Sequence, residues 1–498
     1  MDFHLSITKA KKKRMKQRRN KMGLSKYILA FSFTASFVLG SSVHSLKAQI
    51  TTDSLPVLSE AEFLVIIRKF HPVLSQAATR VERADAALTT ARGGFDPTLN
   101  SSYSRKRFGG DLYYSYYNPE IQIPTWYGVE LYAGLENING GRVNSESSIG
   151  QTSYLGVSIP LLKDLVFDKR RAILQQAKLF KEQTAAERDL EINDLLNEGL
   201  KAYWNWVKEF QLWQLLKEAV KLNQDRFRLL RIEVQQGNRA AIDTVEATTQ
   251  LQQFQLLASD AQLKFLNAGL ELSNFLWIEN GKPYQLPTTV IPDSKWAISI
   301  EQVNIPLLED QVKLALLTHP KLRAYNSKMD WLKVEQRLKF QSLLPKMDIK
   351  AQVLNKGYNV LDKVNGAFLE NNYRLGFDFS IPLRLSEARG GYKEAKLKIM
   401  EAGFGLDQTK LEIENKVKSY YNEVFTLKQQ IALYESAVLN YQRLLRGEWS
   451  RFLSGEGSLF MVNSRESKLI EASLKLQELK TKYFKSLAGV QWASGQLK

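Results

Sequence analysis

The chain has 498 residues, 24% charged and 44% apolar, so it is neither a disordered segment nor a bundle of membrane helices. It has no cysteine and four histidines, which removes disulfides, thiolate metal sites, a cysteine nucleophile and a lipidated N-terminal cysteine, and leaves little for a His-based metal site or triad. The formal charge of +17 is concentrated: residues 1–48 hold eleven Lys/Arg against one acid, so only +7 belongs to the remaining 450 residues and nucleic-acid binding loses its main support.

Residues 1–26 are basic, 27–40 are apolar, and small residues follow at Ser45 and Ala48. That is the layout of a secretory signal peptide over 1–48. Its apolar core of about 14 residues is short of the roughly 20 that a spanning helix needs. An uncleaved anchor is the alternative reading, and Met22 an alternative start. Nothing after residue 49 reads as a transmembrane helix, so an exported chain that enters a membrane must do so as strands.

The 13 prolines leave two clear stretches, 122 residues between Pro160 and Pro283 and 116 after Pro382. In both, apolar residues recur at three- and four-residue steps, as in Leu196, Leu200, Trp204, Val207 and in Ile413, Val417, Tyr421. Each is interrupted once, by GNRAAIDTVEATTQL at 237–251 and by GEGSLFMVNSRESKL at 455–469. Gly237 and Gly455 suit the left-handed position that ends a helix, so each stretch predicts a helical hairpin, 165–282 and 387–495.

Other landmarks pair in the same order: His71–Pro72 with His319–Pro320, Pro97 with Pro345, Ile159–Pro160 with Ile381–Pro382, Trp277 with Trp492. An internal duplication explains the series. It divides the exported chain into a first repeat at 49–282, a connecting strap at 283–318 and a second repeat at 319–498. Helices over 168–236 and 387–454 would each run about 100 Å. The shorter pieces 72–93 with 238–277, and 320–344 with 456–492, would stack end to end beside them.

Between the short and long helix of each repeat the sequence reads as β, about 97–160 and 345–384, with His71 and His319 as helix-start residues. Val129, Leu131, Ala133 and Leu135 alternate on one face, as do Met347, Ile349, Ala351 and Val353. Residues 103–132 include nine aromatics, consistent with a girdle at a membrane interface; a soluble hairpin with an aromatic cluster is the alternative. Four strands from one chain cannot enclose a channel, whereas three chains would supply 12. The fold expected is therefore mainly α with a membrane β-barrel: a duplicated helix–strand–strand–helix plan, a long coiled-coil α-helical tunnel and a trimeric 12-stranded barrel with four strands per chain.

HPVLSQAATRVERADAAL (71–88), SIPLL (158–162) and the two helical turns resemble the TolC family of outer-membrane efflux proteins, from about residue 56 onward. The resemblance implies a homotrimer in the cell outer membrane that extends into the periplasm. It further implies a passive exit for substrates of a tripartite efflux pump or a type I secretion system. Its partners would be a periplasmic adaptor (membrane fusion) protein, an inner-membrane pump or ABC exporter, and outer-membrane lipid, with no nucleic acid. Mapped onto the turns, the family's acidic entrance pair falls on Asp243 and Glu246 in the first repeat. In the second, the equivalent positions are Phe460 and Asn463, with Glu466 one turn on, which departs from a fully acidic gate. Ordinary helix N-terminal charge is the plain reading of Asp243 and Glu246. The pore or gate candidates are thus Asp243, Glu246, Asn463 and Glu466. The adaptor-docking candidates at the tips are Gly237, Arg239, Gly455 and Arg465.

No nucleophile–base set, phosphate loop or metal-ligand cluster is legible, so the chain is read as a non-enzyme without cofactor or metal. A soluble periplasmic coiled-coil adaptor or structural protein is the competing class.

Overall fold

The computed structural model describes residues 56–143, 148–293, 300, 306–358 and 372–497; the signal-peptide reading of 1–48 lies outside the described residues. Helix α1 (Glu60–Phe70) begins with a capping box, in which the Ser59 hydroxyl accepts the Glu62 N–H while Glu62 takes the Ser59 N–H. Helix α2 (Pro72–Arg92) follows at once. Pro72 fills the first turn, where its missing N–H costs nothing, and His71 Nδ1 accepts the Val73 N–H at 3.3 Å.

Beyond α2 the chain forms four strands, β2 (Thr98–Phe108), β3 (Asp111–Pro124), β4 (Glu130–Asn139) and β5 (Gly150–Pro160), after a two-residue β1 (Val57–Leu58). The long helix α3 (Lys169–Gln235) and its return α4 (Ala241–Ser273) come next. Short strands β6 (Trp277–Ile278), β7 (Lys282–Pro283) and β8 (Ile291–Pro292) lead to α5 (Leu308–Thr318). The second repeat then runs α6 (Pro320–Gln341), β9 (Lys346–Lys356), β10 (Tyr373–Ser380), α7 (Ser386–Leu453) and α8 (Leu459–Ala493). The connecting strap read over 283–318 thus contains a helix. Helices α5 and α6 begin 248 residues after α1 and α2, and His319 Nδ1 caps α6 through the Lys321 N–H at 3.1 Å as His71 caps α2.

Toward the sheet the helices lie side by side in one layer, and at the far end they gather into a four-helix cluster in which α4 also meets α8 and the end of α7. Against α3 pack α2 toward the sheet end and α4 toward the far end; α6 and α8 fill the other flank in the same order, and α7 packs on both. At the sheet end the layer therefore reads α2, α3, α6, α7 from side to side. At 1.5 Å per residue the 67- and 68-residue helices α3 and α7 are each about 100 Å long. The core lies at mid-height, where α1 crosses. Phe63 and Ile67 bury against Leu196, Leu200 and Tyr203, and Trp204 stacks on Phe484 at 4.4 Å. Gly199 permits the crossing, since a Cβ there would lie 2.7 Å from Ile67 Cδ1.

The sheet has six strands in the order β10-β9-β5-β4-β3-β2, all antiparallel, where the sequence reading counts four. The added pair is the β2–β3 hairpin. Its two-residue turn uses Gly109 and Gly110 at φ 64° and 89°, a left-handed pair whose twist matches that of the strands. Pairing to β4 lapses at Asn118 and Pro119, where proline has no N–H to donate.

Candidate functional site: a two-faced sheet and the paired hairpin tips

Register assigns the faces of the sheet. Ile121, Ala133, Leu155, Val353 and Tyr373 lie in one cross-strand row, and Leu99, Ile123, Leu131, Val157, Ala351 and Leu375 lie on the same side of their strands. Leu99, Ile121, Leu131, Leu155 and Leu375 are all exposed, from 41% to 73%. Residues one position along point the other way and are polar: Asn118, Glu120, Gln122, Glu130, Ser158, Lys350, Gln352 and Asp378. An antiparallel sheet that is apolar on one exposed side and polar on the other has the two-faced pattern of a membrane barrel wall. Among the described residues no helix is long and apolar enough to cross a membrane.

The aromatics divide between these faces. Tyr103 and Tyr117 toward one end of the apolar side, and Phe377 and Phe379 toward the other, stand exposed as a girdle requires, with Tyr373 in the row between them. Tyr132 and Tyr154 instead lie on the polar side and are buried. Each lies opposite a glycine across the β4–β5 pair, Tyr132 over Gly156 and Tyr154 over Gly134. A Cβ at either glycine would come within 2.2–2.4 Å of the facing ring or hydroxyl. The Tyr154 hydroxyl donates toward Glu120 Oε2 (2.7 Å) and Asn118 Oδ1 (3.0 Å). Sequence reasoning missed this, although two Tyr-x-Gly triplets in neighbouring strands, 132–134 and 154–156, carry the signal.

Where sheet meets helix the polar face becomes a charged cleft of about 410 Å³, lined by Glu130, Asp164, Asp168, Arg170, Asp348 and Lys350 among others. Asp168 caps α3 by accepting the Arg171 N–H at 2.8 Å. Arg170 pairs with Glu130, and Lys350 with Asp378 at 3.0 Å. Asp164 and Leu385 take left-handed φ of 71° and 49°, each in the short connection from a strand to a long helix.

At the far end the hairpins turn alike. Gly237 and Gly455 have φ of 75° and 78°, and each closes a Schellman motif: Asn238 N–H to Glu233 O at 2.9 Å, Glu456 N–H to Arg451 O at 2.9 Å. The tips are tied together. Arg239 donates to the Phe452 carbonyl at 2.8 Å, packs over the Phe452 ring and pairs with Glu233.

Deeper in, Arg226 of α3 forms two hydrogen bonds with Glu466 of α8, at 2.7 and 2.8 Å, and lies over the Trp449 ring of α7. It also donates to Asn463 Oδ1 at 3.2 Å, and Asn463 donates to Glu246 of α4 at 3.1 Å. One network thus spans α3, α4, α7 and α8. It places two of the four gate candidates in the packing: Asn463 and Glu466 are each 4% exposed, and Glu466 is neutralised by Arg226. Glu246 is half-buried on the Asn463 amide, and Asp243 is half-buried with no side-chain partner among the described residues. Arg465 is half-buried, with no ion pair among the described residues. The network's central residue, Arg226, was invisible in the sequence because it is one cation among many on a long amphipathic helix.

Both capping histidines are held below the ordinary imidazole range, chiefly by burial; His319, flanked by Lys321 and Lys416, is brought down to about 4. They are acceptors at helix starts, as their place before proline predicts.

A two-faced sheet joined to a 100 Å helical wall is the barrel-and-tunnel fold of outer-membrane channels. Solved structures share this fold. They include the open-state MtrE outer membrane channel of Neisseria gonorrhoeae (17% identity, TM-score 0.63, covering 88% of this chain and 89% of that one). The Campylobacter jejuni CmeC outer membrane channel gives 16%, 0.60, 88% and 85%, and the Vibrio cholerae outer membrane protein VceC 14%, 0.61, 88% and 96%. No curated protein sequence matches the chain. Residues 66–276 match the sequence model of the outer membrane efflux protein family. Over that span the chain is similar to the outer membrane efflux protein family, and along most of its length it shares the fold of solved outer-membrane channels.

Proposed function

We propose that the chain assembles as a homotrimer and serves as a passive exit duct for a tripartite efflux pump or type I secretion system. The sheet would line the passage through the outer membrane, and the hairpin tips would meet a periplasmic adaptor coupled to an inner-membrane pump or ABC exporter. The repeats 49–282 and 319–498, joined by 283–318, would each supply half of one copy's wall. The observation that carries this reading is the single thickness of the helical layer at its sheet end. A wall one helix deep, with a sheet polar on one side, has no enclosed interior of its own and gains one only when copies close into a ring.

At the tips we propose a division of labour. Gly237 and Gly455 set the turns, and Arg239 clasps one hairpin to the other. Arg465, with no ion pair among the described residues, is left as the charged candidate for adaptor contact. Asp243 and Glu246 remain the candidates for the entrance, where a carboxylate per copy would favour cations. Asn463 and Glu466 act instead as ties behind them. Electron microscopy of detergent-purified protein tests the whole: a threefold hollow cylinder of about 130–140 Å is expected, from a helical section of about 100 Å and a membrane barrel. A solid rod that is monomeric without detergent would overturn it.

A further inference from the structure

Among the described residues the six-strand sheet has two unpaired edges, β2 on one side and β10 on the other. Both carry the two-faced pattern to the rim, with Leu99 and Tyr103 on the apolar side of β2, and Leu375 and Phe377 on that of β10. An open edge cannot stand in the hydrocarbon region of a membrane, because each unpaired N–H and C=O there costs several kcal/mol. We infer that β2 of one copy pairs with β10 of the next, so that each copy gives six strands and three copies close an 18-stranded barrel. The inference rests on the trimeric reading above.

Three observations support this occupant. The first is polarity. β2 leaves α2 and runs away from the helices, whereas β10 runs back toward them into α7, so the two edges meet antiparallel like every other pair in the sheet. The second is position. β2 continues α2 and β10 leads into α7, and α2 and α7 are the two outer flanks of the helical wall, so the same neighbours close tunnel and barrel.

The third is width. Four helix positions at 8–10 Å give about 32–40 Å of wall per copy. Six strands about 4.8 Å apart and tilted by about 40° give roughly 38 Å, whereas four give roughly 25 Å. The six-strand sheet therefore fits the wall beneath it. Closed barrels would measure roughly 36 Å across the backbone with 18 strands and roughly 24 Å with 12. The β2–β3 hairpin is thus part of the pore wall and widens it.

The chain has no native cysteine, so engineered pairs report cleanly. Ser102→Cys on the polar side of β2 would be combined in turn with Arg374→Cys, Gly376→Cys and Asp378→Cys on the polar side of β10, in full-length protein in the outer membrane. Oxidation should give covalent dimer and trimer on a denaturing gel for one or two adjacent registers, and none for either single cysteine. Glu136→Cys on β4 with the same β10 partners should give no intermolecular product. The reverse result, β4 cross-linking to β10 while β2 does not, would overturn the inference and leave a 12-stranded barrel with the hairpin outside it. Native mass measurement of the uncross-linked complex separates the two levels. A trimer without β2–β10 products sinks only the strand count, whereas another stoichiometry sinks the trimeric reading itself.

Discussion

Replacing Glu466 with Ala tests whether the tip network holds the helices together. The carboxylate and the Arg226 guanidinium are 6% and 12% exposed, and two short hydrogen bonds join them. Removing one partner of such a buried pair costs about 3–5 kcal/mol, because the survivor stays buried without its counter-charge. Arg226 would keep Asn463 and the Trp449 ring, which places the expected cost at the lower end, about 3 kcal/mol. The opening equilibrium of the first turns of α8 then shifts on the order of a hundredfold, and hydrogen exchange over residues 459–470 should accelerate by that factor. Core amides near Trp204 and Phe484 should not change. The double variant Arg226→Met with Glu466→Leu removes both charges and should recover most of the protection, since well-packed apolar replacements of buried pairs are often neutral. Acceleration below about threefold in Glu466→Ala would refute the argument and class the pair with exposed ion pairs, each worth about 0–1 kcal/mol.

Three more outcomes follow from the sheet and the caps. Leu155→Arg, in the middle of β5 on the apolar face, should cost about 2–4 kcal/mol of barrel stability, and Leu131→Arg, at the start of β4, should cost less; equal or absent effects in refolding titrations into lipid would place this face away from lipid. Gly156→Ala puts a methyl group where the Tyr132 ring lies, 2.2 Å away, and should cost about 1–3 kcal/mol; adding Tyr132→Ser should restore assembly measured by heat-modifiable gel mobility. Native His319 binds its proton near pH 4 rather than near 6.5, so its contribution is complete above pH 6.5 and is lost as pH falls toward 4, by at most about 3 kcal/mol. His319→Asn keeps a capping acceptor and should flatten the stability profile in that window; an unchanged profile would show that His319 is not the titrating group.

The helices were legible because their punctuation is chemical. Pro72 and Pro320 can only open a helix in that setting, and Gly237 and Gly455 can end one at positive φ without strain, so the sequence boundaries fall within a few residues of the structural ones. The two faces of β4 and β9 were equally readable, because burial against lipid or water alternates with the pleat. The β2–β3 hairpin was not. Arg105, Lys106 and Arg107 break its apolar alternation, and Pro119 interrupts β3, so only the Gly109–Gly110 turn marked it. Helix α5 was hidden among the prolines of the strap, although Leu308–Thr318 stands in the same relation to His319 as Glu60–Phe70 to His71.

The tip shows a different limit. Periodicity finds the apolar stripe of a helix, but where four helices cluster each one meets several neighbours and still keeps a face free of them. A carboxylate off the stripe is therefore equally compatible with a passage, with the outside, or with a seam. Glu466 lies in a seam because α3 places Arg226 opposite it, a match made between positions 240 residues apart. Asp243 meets no such cation among the described residues. Two acids in equivalent turns thus differ in chemical state through what the facing helix offers, which no pattern local to either turn encodes. On the proposed reading the charge at the entrance is set by α4, and the rigidity behind it by α3 and α8. Neutralising Asp243 should accordingly alter ion preference while leaving exchange over 459–470 unchanged, the opposite of the result expected for Glu466.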